Sequence, residues 1–288
     1  MNGPLAQIVA LTIYGNAVLA GHSIPKFFPD NSTCKFCNEI AFAELGKSLL
    51  GKAKESRVAA SPDEWFSYLR KKGARGVRLL RKAQNDPRIP DRMSAGFVGG
   101  GGTWMIEVIL EGGRSEYWVA RWEVWNQNAP EQRIWRVTYG RVDQKPTTNS
   151  PAPNLGQHRA RFLKRLQAIR NFSAREKSDP FTASFDQALD TMSARDLKLH
   201  GYHRDLSPAG FLQTDAVVVL DAAQSSYVFG GMGSWNDMGF EKETQKEYER
   251  VSEDLFEELN EVIIAATNMS YYRRRTNGSS GTATRPPR

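Results

Sequence analysis

Residues 103–142 carry the strongest structural signal in the chain, because apolar and polar residues alternate along them. The alternation predicts three strands, at 104–111, 116–125 and 133–142, with a tight turn at Gly112-Gly113 between the first two. Strands this close in sequence pair as an antiparallel meander. A meander of three strands is stable once a helix covers its apolar face.

Helical signals surround this region. Ser61-Pro62-Asp63-Glu64 predicts a helix start, with Ser as the N-cap, Pro in the first turn and acids after it. We expect that helix to continue to about Leu80, weakened by Gly73 and Gly76. Helical spacing of apolar residues predicts further helices near 38–56, 156–172, 182–197 and 241–267.

Two hairpins complete the predicted fold. The first spans residues 8–20 around the turn Gly15-Asn16, and the second pairs 216–220 with 226–229. We therefore predict an α+β fold, in which helices pack an antiparallel aromatic meander and the helix-rich C-terminal half contains a short β-hairpin. The expected units are an N-terminal domain, a linker or long loop, a helical domain and a disordered basic tail, at 1–143, 144–155, 156–270 and 271–288.

Composition narrows the class of protein. The chain has 288 residues, only two cysteines and a formal net charge of +7, so a disulfide-rich secreted scaffold is excluded. No uncharged apolar run reaches the roughly 18 residues of a membrane span. The uncharged N-terminus lacks a basic segment and an unbroken apolar core. We expect a cytoplasmic protein that does not contact a membrane, and whose excess of cations favours an acidic partner.

Charge is segregated along the chain. Residues 62–92 hold nine basic and four acidic residues, and 157–177 hold seven basic and one acidic, whereas 240–261 hold nine acidic and three basic. Either the acidic helix packs against a basic helix and neutralises it, or one basic face stays open and contacts phosphates. The partner is then a nucleic acid or, in a subunit that only contacts proteins, an acidic protein.

Aromatic residues favour the nucleic-acid alternative. Five of the seven tryptophans fall within residues 104–135, and aromatic rings flanked by Arg on an open sheet resemble surfaces that stack single-stranded bases. The alternative is that these rings form the core. The candidate nucleic-acid-binding residues are Arg70, Lys71, Lys72, Arg75, Arg78, Tyr117, Arg121, Trp125, Arg133, Trp135, Arg161 and Arg165.

Cys34 and Cys37 have the CxxC spacing of two zinc thiolates. His200 and His203 could supply two more ligands, and His22 is another candidate. The alternatives are two reduced, partly buried cysteines or a redox pair. Zinc is the one cofactor that we consider, and no other cofactor is expected.

The stretch His203 to Pro208 (HRDLSP) resembles the catalytic loop of protein kinases. In that family the Asp accepts the substrate hydroxyl proton and an Asn five residues later binds magnesium. Here Gly210 occupies the position of that Asn. Asp221-Ala222-Ala223 follows where kinases carry Asp-Phe-Gly. Because the match ends there, we do not assign the chain to the family.

A glycine-rich loop precedes the acidic helix, and its backbone N–H groups could hold an anion. The candidate ligand residues are Gly230, Gly231, Gly233, Ser234 and Asn236. The alternative is a tight turn that places Trp235 in the core.

The leading interpretation is a non-catalytic protein that binds nucleic acid, preferably single-stranded, or assembles with it. The second is an enzyme that acts on a nucleotide or a small phosphorylated substrate at residues 200–237, with His203, Asp205 and Asp221 as catalytic candidates. The third is a subunit that interacts only with proteins.

Overall fold

The computed structural model describes residues 1–47, 53–84, 89–97, 99–142, 154–194 and 199–278. Within them lie helices α1 (Gly3–Leu19), α2 (Pro62–Lys71), α3 (Asp91–Ser94), α4 (Leu155–Arg175), α5 (Asp179–Ser193), α6 (Thr214–Ser226) and α7 (Lys242–Gly278). The strands are β1 (Cys37–Lys47), β2 (Ala53–Ala59), β3 (Ala74–Lys82), β4 (Thr103–Leu110), β5 (Ser115–Val124) and β6 (Trp135–Val142). The predicted α+β class and the helix-rich C-terminal half are confirmed.

The six strands form one mixed sheet in the order β2-β1-β6-β5-β4-β3. Strands β3 to β6 are an antiparallel meander, so the predicted pairing of β4, β5 and β6 is confirmed. Strand β1 then pairs in parallel with β6 and antiparallel with β2. The chain reaches the far edge of the sheet through α2, which connects β2 to β3.

One face of the sheet carries the core. Phe42 of β1 stacks on Trp65 of α2 at 4.4 Å between ring centroids and on Tyr139 of β6 at 5.1 Å. Trp118 of β5 packs edge-on against the same group at 6.0 Å and is fully buried. Burying each such side chain stabilises the fold by about 2–3 kcal/mol, so these rings anchor α2 to the sheet.

The predicted N-terminal hairpin is wrong, because residues 3–19 form the single helix α1. Asn2 caps the helix by accepting from the Leu5 N–H, and Pro4 lies in the first turn. Residues 5–17 are buried on every side of the helix, so no polar face marks the helical period. The side chain of Asn16 lies within the helix and bonds β3, which is why Gly15-Asn16 makes no turn.

The predicted helix at 38–56 is also wrong, because this segment forms strands β1 and β2. Over a short run, its apolar residues fit both the helical period of about 3.6 residues and the strand period of about two. Alternation decides between them, since Ile40 and Phe42 face the core while Glu39 on the opposite face pairs with Arg57 and Arg136. Here tertiary packing overrides helical propensity.

Helix α2 starts at Pro62 as predicted but ends at Lys71 rather than near Leu80. Gly73 has a φ of 72°, a conformation that ends helices, and β3 follows directly. A Cβ on Gly76 would lie 2.3 Å from the ring of Tyr271. Both glycines therefore mark a turn and a close helix–strand contact instead of a weakened helix.

The predicted hairpin at 216–229 is wrong as well. Residues 214–226 form the helix α6, and Ala216, Val219 and Ala223 share its buried face. The run Ala216 to Leu220 is rich in β-branched residues, but its burial follows the helical spacing. The predicted helices near 156–172 and 241–267 are present as α4 and α7, and α7 continues to Gly278. Helix α5 begins three residues before its predicted start at 182 and ends at Ser193.

Most of the predicted linker, residues 144–153, lies outside the described residues, as do 279–288 of the predicted tail. The tail prediction fails at its beginning, because α7 continues to Gly278 and Tyr271 is buried. One hydrophobic cluster joins residues from before and after the linker. The predicted domain division stays a prediction. None of the helices in the described part of the chain is both long and apolar enough to cross a bilayer.

Candidate functional site

A cavity of about 340 Å³ lies between the loop 199–212 and α6. Most of its wall is apolar, and a few polar side chains reach it, which is the usual composition of a small-molecule site. Its lining residues are Leu199, His203, Arg204, Leu206, Ser207, Pro208, Ala209, Gly210, Leu212, Thr214, Val217, Leu220, Asp221 and Gln224.

Ser32 links two of the predicted catalytic candidates. Its Oγ lies 2.8 Å from Nδ1 of His203 and donates a short hydrogen bond to Oδ1 of Asp205. Its backbone N–H donates to the other oxygen of Asp205 at 2.7 Å. Ser32 comes from a 3-10 turn before β1, so the site joins two segments that are distant in sequence.

These contacts determine the proton arrangement of the His203 ring. The single hydroxyl proton of Ser32 is used in the bond to the Asp205 carboxylate, so Nδ1 of His203 must be the donor to Ser32 Oγ. The other ring nitrogen, Nε2, then carries a lone pair. It has no hydrogen-bond partner among the described residues, and it belongs to a ring that lines the cavity.

The His203 ring is neutral near pH 7. Burial lowers its pKa to about 4, although the Asp205 carboxylate acts in the opposite direction. A neutral imidazole accepts a hydrogen bond at one nitrogen only. The His203 ring, which lines the cavity, therefore keeps a hydrogen-bond acceptor at Nε2 above about pH 5.

Asp221 and Gln224 hold the loop in place. The backbone N–H groups of His200 and Gly201 each donate to the Asp221 carboxylate at 2.8 Å. Gln224 pairs with the backbone of His203, accepting from its N–H and donating to its carbonyl. Asp221 is thus an anchor for the loop, with both oxygens already bonded.

The kinase-like sequence does not form a kinase-like site. The Asp205 carboxylate accepts hydrogen bonds from Ser32 at both oxygens, and Asp205 is not among the residues that line the cavity. Asp221 lies inside α6, whereas the kinase Asp follows a strand. The structure brings His203, Asp205 and Asp221 into one region, but their roles differ from those in a kinase. His203 is a hydrogen-bond acceptor, Asp205 orients its ring through Ser32, and Asp221 anchors the loop.

Cys34 and Cys37 are both buried free thiols. Burial raises the pKa of Cys37 to about 11, and it raises the pKa of Cys34 further. Cys37 Sγ accepts a weak hydrogen bond from Gln7 at 3.4 Å. Thiols of this kind are poor nucleophiles, which argues against the redox alternative.

The predicted zinc ligands are not assembled. Within the described part of the chain, no group of three or more His, Cys, Asp or Glu side chains is arranged to hold a metal ion. His203 is bonded to Ser32, and His200 is exposed. His22 packs edge-on against Phe211 at 5.0 Å.

The glycine-rich loop forms a turn below Trp235. Asp237 accepts from the N–H groups of Gly233 and Ser234, and Ser234 donates to the Gly230 carbonyl. Asn236 is bonded to Arg92 through both amide atoms. The backbone N–H groups of Gly233 and Ser234, which an anion would need as donors, are therefore already bonded to Asp237. Gly231 is half-buried in the same turn.

The aromatic residues of the meander mostly pack in or against the core. Trp118 is fully buried, Tyr117 is buried, and Trp135 is half-buried with its ring edge-on to Trp122 at 6.0 Å. Trp125, just after β5, is 45% exposed. Trp104, Trp122 and Trp135 are half-buried, so Trp125 is the most exposed of the five tryptophans.

Seven of the nine predicted phosphate-binding cations already contact carboxylates. On α4, Arg161 and Arg165 pair with Glu258 and Asp254 of the acidic helix α7 at 2.9 and 2.7 Å, as the first charge alternative predicts. The other pairs are Lys72–Glu116, Arg75–Glu111, Arg78–Glu107, Arg121–Glu55 and Arg133–Glu131. Arg70 and Lys71, exposed in the last turn of α2, have no ion pair among the described residues.

Sequence reasoning missed Ser32 entirely. A serine 171 residues from its histidine gives no spacing signal. The Asn31-Ser32 pair before CxxC does carry the composition of a local turn, with Asn31 as its cap. Nothing in that turn indicates which distant side chain it contacts.

Comparison with known proteins gives no relative: no protein-family model, curated protein or solved structure matches this chain.

Proposed function

We propose that this chain binds a small organic molecule in the cavity between the 199–212 loop and α6. His203 Nε2 accepts a hydrogen bond from a hydroxyl or N–H group of the ligand. The observation that supports this proposal is the Ser32 oxygen between His203 and Asp205, which fixes the ring orientation and leaves Nε2 as an acceptor.

The lining suggests what kind of molecule fits. Leucine, valine and proline side chains favour an apolar or ring-shaped body. Arg204 lines the cavity, is exposed to solvent and has no ion pair among the described residues. Its guanidinium can therefore bind an anionic group of the ligand. A nucleotide or a small phosphorylated compound has both features, and its size suits a cavity at the lower end of the roughly 300–1,000 Å³ range.

Ligand-induced thermal stabilisation tests the proposal. The probes are nucleoside monophosphates and sugar phosphates, each measured against the wild type, His203→Gln and His200→Gln. A ligand that binds only the folded state raises Tm with its concentration. We expect the ligand to stabilise the wild type and His200→Gln. His200 is exposed, lies three residues before His203 and is not among the residues that line the cavity.

His203→Gln removes the ring acceptor, and we expect it to weaken binding by roughly tenfold, the effect of one hydrogen bond of about 1.4 kcal/mol. Equal stabilisation of the wild type and His203→Gln would mean that the ligand does not use this acceptor. A panel that stabilises no variant would remove the support for a small phosphorylated ligand.

Single-stranded nucleic acid is the second candidate. Its support is the pair Arg70 and Lys71, which are exposed and unpaired among the described residues, and the exposed ring of Trp125. Fluorescence anisotropy with labelled single-stranded DNA, single-stranded RNA and duplex at about 50 and 200 mM salt measures it.

Binding to single strands that weakens in Trp125→Ala and Arg70→Ala, without loss of folding, would support this candidate. Absence of binding at the lower salt concentration would contradict it, because phosphate contacts are strongest there.

A further inference from the structure

A second cavity, of about 180 Å³, lies between α7 and the end of β3. It is separate from the His203 cavity and shares no lining residue with it. The lining is strongly polar: Arg81, Ala83, Pro90, Asp91, Glu253, Phe256, Glu257 and Asn260.

Asn260 is the unusual member of this lining. Its side chain is 1% exposed, and within the part of the chain that the structure describes neither its amide oxygen nor its amide nitrogen has a hydrogen-bond partner. A buried polar group without a partner destabilises the folded state, so such groups are rare in native proteins. A ligand in the cavity would give this amide the partner that the described residues do not supply.

Two carboxylates stand beside Asn260 on the same side of α7, because Glu253, Glu257 and Asn260 are spaced by four and three residues. Glu253 lies 3.5 Å from Arg92. Glu257 is exposed and has no ion pair among the described residues. Counted over the described residues, the cavity therefore offers one uncompensated negative charge close to a buried amide.

The cations in the lining do not change this balance. Arg81 pairs with Asp91 and donates to the carbonyl of Gly101, and its guanidinium lies 5.5 Å from the ring centroid of Phe256. Its charge is thus already matched by Asp91. Burial raises the pKa of Glu253, an effect that the nearby Arg92 opposes.

We propose that this cavity binds a guanidinium or alkylammonium group, with the Glu257 carboxylate as its charge partner and the Asn260 amide oxygen as its second acceptor. Both groups carry several N–H donors on one cationic centre, so one group can reach both oxygens. The source is either a free small amine or an arginine or lysine side chain of a peptide.

Calorimetric titration of the full chain at low salt tests the proposal. The probe is butylguanidinium, and butylurea is its neutral analogue of similar shape. We expect butylguanidinium to bind and butylurea to bind at least roughly tenfold more weakly. The peptide acetyl-Gly-Arg-Gly-amide distinguishes the sources: tighter binding than butylguanidinium indicates a peptide side chain, and weaker binding indicates a free amine.

Glu257→Gln removes the charge on an exposed side chain, and we expect a loss of roughly tenfold in affinity. Glu261→Gln, which changes another exposed carboxylate one turn further along α7, is the matched control and leaves affinity unchanged. Asn260→Leu should abolish binding and raise Tm without ligand, since it removes the unpaired amide.

Equal affinity for butylguanidinium and butylurea would overturn the proposal, as would absence of binding or equal affinity of Glu257→Gln and the wild type. The Glu257→Gln comparison stands even if Asn260→Leu fails to fold. None of these readouts involves His203, so failure here is distinct from failure of the proposed function.

Discussion

The side chain of Asn268 pairs with the backbone of Leu79, accepting from its N–H at 2.7 Å and donating to its carbonyl at 3.0 Å. Strand β3 is an edge strand, and Leu79 is one of the residues whose backbone faces away from β4. Asn16 of α1 makes the same two contacts with Val77, at 2.9 and 2.8 Å. Two buried amides therefore complete the hydrogen bonding of a sheet edge that α1 and α7 cover.

Loss of either amide should destabilise the fold strongly. Asn268→Leu or Asn16→Leu leaves a buried N–H and a buried carbonyl without partners, which costs about 2–5 kcal/mol in the free energy of unfolding. Urea unfolding followed by circular dichroism measures the change. Asn171→Ala, on the exposed face of α4, is the control and should stay within about 0.5 kcal/mol of the wild type. An equal effect of all three variants would contradict this role.

The contact between α4 and α7 should depend on Glu258. This buried carboxylate accepts from Arg161 and contacts His158, both at 2.9 Å. Glu258→Gln should lower the free energy of unfolding by about 1–2 kcal/mol, because a charged acceptor is lost from a buried position. The exposed Glu261→Gln should change it far less. If urea midpoints of the two variants coincide, the ion pairs contribute no stability.

The two cysteines should be unreactive in the folded protein. Their raised pKa values and burial keep the thiolate population small at pH 8. Iodoacetamide labelling followed by mass spectrometry should give no modification in buffer and two modifications in urea. Ser193→Cys, which places a thiol at an exposed position on α5, reports the labelling of an accessible cysteine. Fast labelling of Cys34 or Cys37 in buffer would show that the structure covering them opens.

Protonation of His203 should weaken the fold as the pH falls. Its pKa is lower in the folded state than the ordinary value of 6.5, so between these values the unfolded chain binds more protons and stability rises with pH. From pH 7 to pH 5 we expect this residue alone to remove about 2 kcal/mol. The measurement compares the pH dependence of urea unfolding for the wild type and His203→Gln. If the free energy of unfolding of His203→Gln falls with pH as steeply as that of the wild type, His203 is not a cause of the pH dependence.

The parts of the fold that sequence predicts well are those with a distinct period. Strands β4 to β6 alternate clearly, and α2 begins at an unambiguous cap at Ser61. The sequence pattern of helix α1 favours a hairpin because the helix is buried on every side and its residues show no polar face. The pattern of segment 38–56 favours a helix, because the burial of Phe42 depends on the rings of Trp65 and Tyr139, which are distant in sequence.

Sequence alone predicts which residues the candidate site contains better than it predicts what each of them does. His203, Asp205 and Asp221 are close in sequence, and their grouping was expected. Their roles depend on partners that no local pattern specifies, such as Ser32 for His203 and the backbone of Gly201 for Asp221. The basic helix α4 shows the opposite case, since its neutralisation by α7 was one of two alternatives that composition left open.

The central claim is that His203 presents an unprotonated Nε2 to the cavity near pH 7. Long-range nitrogen–proton correlation NMR of the imidazole rings observes this directly, with His203→Gln identifying the signal. We expect a neutral ring with the proton on Nδ1 from pH 7 down to about pH 5. A ring that carries its proton on Nε2, or that is already cationic at pH 7, would contradict the proposed function.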